Sequence, residues 1–193
     1  MKKILMINFV LLNLSLLGIA GEAQYQGDGK FEDRGEEAVL SRYAVDLGKV
    51  SLGQSKNYKF TLAGLPEEQF VAGIVLDLNR PVARMTKPDW FKDVRVKMIL
   101  TDVKAGTEVF AIDQTLSRYT WSNVSPSAKD GASFVYGRDG KQSFFTPSKA
   151  VEYELKLEIE STCEDAVSAA MFLTATGNKE EAIQNSFPIK LPF

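Results

Sequence analysis

The chain has 193 residues, with 23 basic and 25 acidic side chains, no histidine and a single cysteine. So near-neutral a balance supplies no field for drawing in nucleic acid or an anionic membrane surface. Without histidine there is no Ser-His-Asp or Cys-His pair, no imidazole base and no His-containing zinc site, and one cysteine excludes an internal disulfide and a thiolate-rich metal site.

Lys2 and Lys3 precede an apolar run over residues 4–19, interrupted by Asn8, Asn13 and Ser15, and small residues follow at Ala20 and Ala23. This layout predicts a signal peptide over 1–23, cut after Ala20 or Ala23. The run is shorter than the ~20 apolar residues a bilayer span needs, so no integral membrane segment is expected after cleavage. The mature chain is therefore expected in the periplasm or outside the cell. Residues 24–38 are polar, bear glycine and lack periodicity, which reads as a flexible leader before a single domain over 39–193.

Strand signals fill that domain. Residues 43–47 open it, and Tyr58, Phe60 and Leu62 alternate with polar neighbours. Residues 71–79 (VAGIVLDLN) are apolar on both faces and predict a central or doubly covered strand. Val94, Val96, Met98 and Leu100 alternate with Arg95 and Lys97 over 94–102. Strands are expected over 114–122, 132–137 and 142–146, with Asp139-Gly140 as a hairpin turn between the last two. Over 151–160 (VEYELKLEIE) the alternation is complete, with Val151, Tyr153, Leu155, Leu157 and Ile159 on one face. Residues 169–176 (AAMFLTAT) again read as apolar on both faces. Residues 178–185 form the one expected helix, with Asn178 as its cap, and a last strand lies near Ile189. About nine or ten short strands with turn residues between them predict an all-β, antiparallel sandwich of jelly-roll or Ig-like type.

Candidate surface residues come from charge and aromaticity. Glu152, Glu154, Glu158 and Glu160 line the outward face of the 151–160 strand, an acidic strip suited to meeting a complementary partner or simply to solvation. Tyr119 and Trp121 share a strand face, as do Phe134 and Tyr136, and such a platform either stacks on sugar rings or fills the sandwich core. Trp90, after Pro88, either plugs an open end of the sandwich or meets a ligand. Cys163 lies between two strands beside Glu164 and Asp165, which disfavour a reactive thiolate. Asp77, Asp102, Asp113, Asp130 and Asp139 stand at strand ends or turns without a calcium-loop spacing, so no metal or cofactor is assigned.

Tyr153-Glu-Leu-Lys-Leu-Glu-Ile159, followed by Ala170-Met-Phe-Leu-Thr-Ala-Thr-Gly177, resembles the closing strand pair of jelly-roll-type domains in small exported proteobacterial proteins of unknown function. Tyr119-Thr-Trp121-Ser is similar to a middle strand of that group. The resemblance spans roughly 43–177, rests on strand rhythm, and implies a fold and an export route with no functional residues to carry over. The expected function is a non-catalytic, periplasmic domain that binds another envelope or secreted protein, including an immunity-type inhibitor, with a module for cell-wall or external glycan as the alternative.

Overall fold

A computed structural model describes residues 25–35, 42–78, 87–122, 126–127, 132–137, 143–163 and 168–175, with Trp121 and Ser168 by backbone alone. The expected signal segment 1–23, the expected helix over 178–185, the expected strand near Ile189 and the expected Asp139-Gly140 turn lie outside these residues.

Eleven strands are described. They are β1 (Lys30–Asp33), β2 (Tyr43–Ser51), β3 (Lys56–Ala63), β4 (Phe70–Asp77), β5 (Val94–Asp102), β6 (Thr107–Thr115), β7 (Thr120–Ser122), β8 (Ala132–Tyr136), β9 (Phe144–Phe145), β10 (Glu152–Ser161) and β11 (Ser168–Ala175). Every pairing between them is antiparallel. One sheet runs β1-β2-β11-β4-β8-β7 with β9 also on β4, and the other runs β3-β10-β5-β6. Set aside the edge strands β1 and β7 and count β8 with β9 as one interrupted strand, and the chain visits the sheets in jelly-roll order. Its opening and closing strands, β2 and β11, are then central neighbours, unlike the ABED/CFG order of an Ig domain. Among the described residues no helix is long and apolar enough to cross a membrane.

The period-two pattern decides which face is buried. On β10, Tyr153, Leu155, Leu157 and Ile159 are buried while Glu152, Lys156 and Glu160 are exposed. Their cross-strand partners Leu62, Phe60 and Tyr58 on β3, and Leu100, Met98 and Val96 on β5, extend the same inner face. Against it pack Val45, Leu47, Phe70, Ala72, Ile74, Leu76, Met171 and Leu173 of the other sheet. Each buried aliphatic or aromatic side chain contributes about 1.5–3 kcal/mol relative to exposure, so this shared layer dominates the fold's stability.

Several expectations are corrected by the structure. Residues 25–35 of the expected leader are part of the fold: Gln26 N donates to Ala63 O at 3.0 Å and Asp28 N to Thr61 O at 2.7 Å on β3, and β1 then pairs with β2. Tyr25 and Phe31, stacked with ring centres 5.5 Å apart, pack against the main core, which is why a polar-looking stretch docks. Residues 114–122 are two strands. β6 ends at Thr115, Leu116–Arg118 form a 3-10 turn with Leu116 buried, and β7 follows in the opposite sheet. β8 and β9 both pair with β4, at Gly73–Asp77 and at Phe70–Val71 respectively, so they lie end to end along one strand instead of facing each other as a hairpin.

Candidate interaction surface

The outward face of the four-stranded sheet carries the predicted acidic strip, and the register sets its neighbours. Glu154 pairs across to Thr61 and Thr101, Lys156 to Lys59 and Ile99, Glu158 to Asn57 and Lys97, and Glu160 to Arg95. Lys97 and Arg95 in turn face Asp113 and Thr115 on β6. Acidic and basic side chains thus interleave across the sheet, and the strip is one column in a mixed-charge grid.

The contacts follow from that register. Glu154 accepts from Lys59 and, at 3.1 Å, from Lys156 on its own strand. Lys97 Nζ donates to Glu158 Oε2 at 3.0 Å, and Arg95 grips Asp113 through two bonds of 2.6 and 2.9 Å. Hydrogen bonds from Lys59 and Lys156, helped by their charge, hold the Glu154 carboxyl below the usual carboxylate range. The hydrogen bond to Glu158 and its charge raise Lys97, and Asp113 does the same for Arg95. These pairs are solvent-exposed and screened by salt, so they set geometry more than stability. Half-buried Ile99 sits within the grid, beside exposed Lys156.

The aromatic candidates separate. Tyr119 is 1% exposed, immediately before β7, and its hydroxyl donates to Val96 O at 3.0 Å. It belongs to the main core, so of the two readings its spacing offered the core one holds, and Tyr119 is removed from the candidate interaction surface; its polar tip is satisfied within the core. Trp121 pairs by backbone with Val135 on β8. Phe134 and Tyr136 are both buried, in a second apolar cluster with Val71, Val75, Ala132 and Phe172. Trp90 lies in the 3-10 turn Asp89–Asp93, half-buried against the core, with its ring edge-on to the fully buried Phe91 at 4.3 Å. The turn therefore plugs the sandwich through Phe91, with Trp90 as its outer layer.

Cys163 is buried in the main core, and its N–H donates to Ser161 Oγ at 3.1 Å. Asp102 serves its hairpin by accepting from Ala105 N at 2.8 Å, while Asp113 is engaged by Arg95. Among the described residues no group of three or more acidic, cysteine or histidine side chains is placed to hold a metal.

Burial, followed by the charge of Asp113, pushes the Tyr119 phenol well above the ordinary tyrosine range, and burial followed by Asp28 does the same to Tyr25. Both folded values exceed the unfolded value of about 10. The associated stability is therefore fully present below about pH 10 and is lost as pH rises toward the folded values. In a spectrophotometric alkaline titration, Tyr119 and Tyr25 are expected to ionise only as the sandwich unfolds. Ionisation of all six tyrosines near pH 10 with the fold intact would refute this.

No family model matches the chain, and no curated protein or solved structure matches it either.

Proposed function

We propose that this is an exported, non-catalytic protein-binding domain of the cell envelope, docking through the outer face of β3-β10-β5-β6. The observation that carries the reading is the charge grid of Glu154, Glu158, Lys59, Lys97, Arg95 and Asp113, whose positions are fixed by antiparallel register. A flat face with charges of both signs at fixed spacing selects a partner by complementarity and speeds its association. The layout of residues 1–23, basic head and apolar run, supports the export route and a periplasmic or secreted location. An immunity-type inhibitor is the finer form of this reading, since such a protein needs a rigid scaffold and a charged docking face. A glycan partner is not favoured by Tyr119, whose ring is buried, or by Trp90, whose ring packs on Phe91.

The test is charge reversal. The double variant Glu154→Lys/Glu158→Lys is expected to keep its melting temperature and to retain about tenfold less of its partner. Retention is read by quantitative mass spectrometry of what the mature chain captures from a solubilised envelope extract. Equal capture by the variant and the native chain would remove this face from the reading.

A further inference from the structure

Register rules the outer face of β3-β10-β5-β6 into rows. Lys59, Lys156, Ile99 and Ala111 form one row, Asn57, Glu158, Lys97 and Asp113 the next, and Glu160, Arg95 and Thr115 a third. Glu154 stands one row before them, between Thr61 and Thr101. The face meets water, since the side chains of Lys59 and Arg95 are 65% and 54% exposed. Its charges are not used up within the chain: Glu160 adds its charge to Arg95 and Lys97 without taking a hydrogen bond from either. Val103 and Val109, the exposed large hydrophobic side chains among the described residues, both belong to the hairpin that joins β5 to β6 at this sheet's edge.

We infer that this face docks a second copy of the chain about a two-fold axis lying in the interface, parallel to the strands and midway between β10 and β5, a placement that rests on this face being the docking surface. Such an axis lays each row on itself, with β10 over β5 and β3 over β6. Glu158 then meets the second copy's Lys97, and Glu160 its Arg95. Symmetry makes each contact twice, giving four oppositely charged pairs. Lys156 lies over Ile99 and Lys59 over Ala111, so lysine stems cover the apolar positions. Glu154 faces Thr101 and Asn57 faces Asp113, and no like charges in these rows oppose each other. Other axes fail. One across the strands sets two acids or two lysines of β10 face to face wherever it is placed, because that column reads Glu152, Glu154, Lys156, Glu158, Glu160. One along β10 or β5 sets each charge of that strand on its own copy, one between β3 and β10 sets Lys59 on Lys156, and one between β5 and β6 leaves β3 and β10 uncovered. The four strands have 8 to 10 residues each. At about 4.8 Å between strands and 3.3 Å per residue, two copies bury roughly 1,100 Å², just above the ~1,000 Å² of a specific interface. Packed sheets cross at about 30°, which moves a side chain one row from the centre by roughly 3 Å, within reach of Lys, Arg and Glu.

The test is sedimentation equilibrium of the chain 24–193 at low salt. A dimer is expected by about 100 μM, as suits an interface at the small end of the specific range, and added salt should weaken it several-fold. Lys97→Glu and Glu158→Lys should each weaken it at least tenfold, because each sets two like-charge contacts across the axis. An equal mixture of the two variants should dimerise again, since every contact is then between opposite charges. The chain carrying both reversals should also dimerise, which attraction between oppositely charged chains does not predict. A native chain that stays monomeric, single reversals that leave the dimer unchanged, or a double reversal as weak as either single would overturn the inference. Should a single reversal not fold, Arg95→Glu and Glu160→Lys stand in the same two-fold relation and replace the pair. A monomer whose capture of a partner still falls with Glu154→Lys/Glu158→Lys would remove the second copy and leave the docking face standing. A dimer with unchanged capture would instead confine that face to copies of this chain.

Discussion

Phe70→Ala is expected to lower the unfolding free energy by about 3–5 kcal/mol, the usual cost of deleting a buried phenyl ring. Phe70 is fully buried at the start of β4, with Tyr43 at 6.4 Å and Phe145 at 6.0 Å between ring centres. It is an interior member of a chain of rings that runs from Tyr25 through Phe31 and Tyr43 to Phe145 and Tyr153. Removing this ring deprives both sides of contact, and strands paired on either side of β4 cannot move inward without breaking register. Against a total of about 5–15 kcal/mol this is a large fraction, and it corresponds to a fall of roughly 10 °C in melting temperature. Urea unfolding should show a lower midpoint with an unchanged slope. A loss under about 1 kcal/mol, no larger than that of an exposed control such as Val103→Ala, would show that this end of the sandwich is not closed.

The second large effect comes from the smallest change. Gly73 lies mid-β4, and a Cβ built there would stand 2.4 Å from the Val135 carbonyl oxygen and 2.6–2.7 Å from the Phe134 ring. Glycine in a strand ordinarily weakens it, and Gly→Ala usually stabilises by about 0.4–1 kcal/mol through the unfolded chain. Here the collision wins, because one obstacle is backbone within the β4–β8 ladder and cannot rotate aside. Gly73→Ala should therefore destabilise by about 3 kcal/mol, the upper end of overpacking penalties. Hydrogen exchange should localise the damage to β8 and the Phe134–Tyr136 cluster. A neutral or stabilising outcome would mean that β8 is free to shift by several tenths of an ångström, and that the outer cluster is loosely packed.

Much of this architecture was legible as rhythm. The ten-residue alternation of β10 predicted its inner and outer faces residue by residue, and β5 likewise. The double apolarity of β4 and β11 announced strands either central or covered on both sides; both are central in their sheet, and Val71, Val75 and Phe172 are buried on its outer face. Rhythm failed where geometry interrupts it. β6 carries a register shift opposite Leu100 and Thr101, which leaves Val109 exposed between Glu108 and Phe110 and hides the strand's alternation from a period-two reading. The two-residue run β9 is too short for any period, and β1 is polar because it is an edge strand. The acidic column and the basic residues Arg95 and Lys97 were visible separately, but not their interleaving, because the partners of Glu154 and Glu158 on β3 and β5 are neighbours through register, a non-local quantity. Tyr119 stayed open between platform and core because a ring followed two residues later by another looks the same in sequence whether a 3-10 turn or a strand precedes the second.

The seating of residues 25–33 on both sheets makes the amino end of the domain a mechanical latch. Tension lifting that end off the sheets would meet the bonds of Gln26 and Asp28 to β3, and then those of β1 to β2, one after another in chain order. A pull that lifts this end away from the sheets loads those bonds one at a time, whereas a pull along the axes of the central β2, β11 and β4 loads many ladder bonds together. A fusion or tether at this end would thus open the edge joint first and leave the central strands standing.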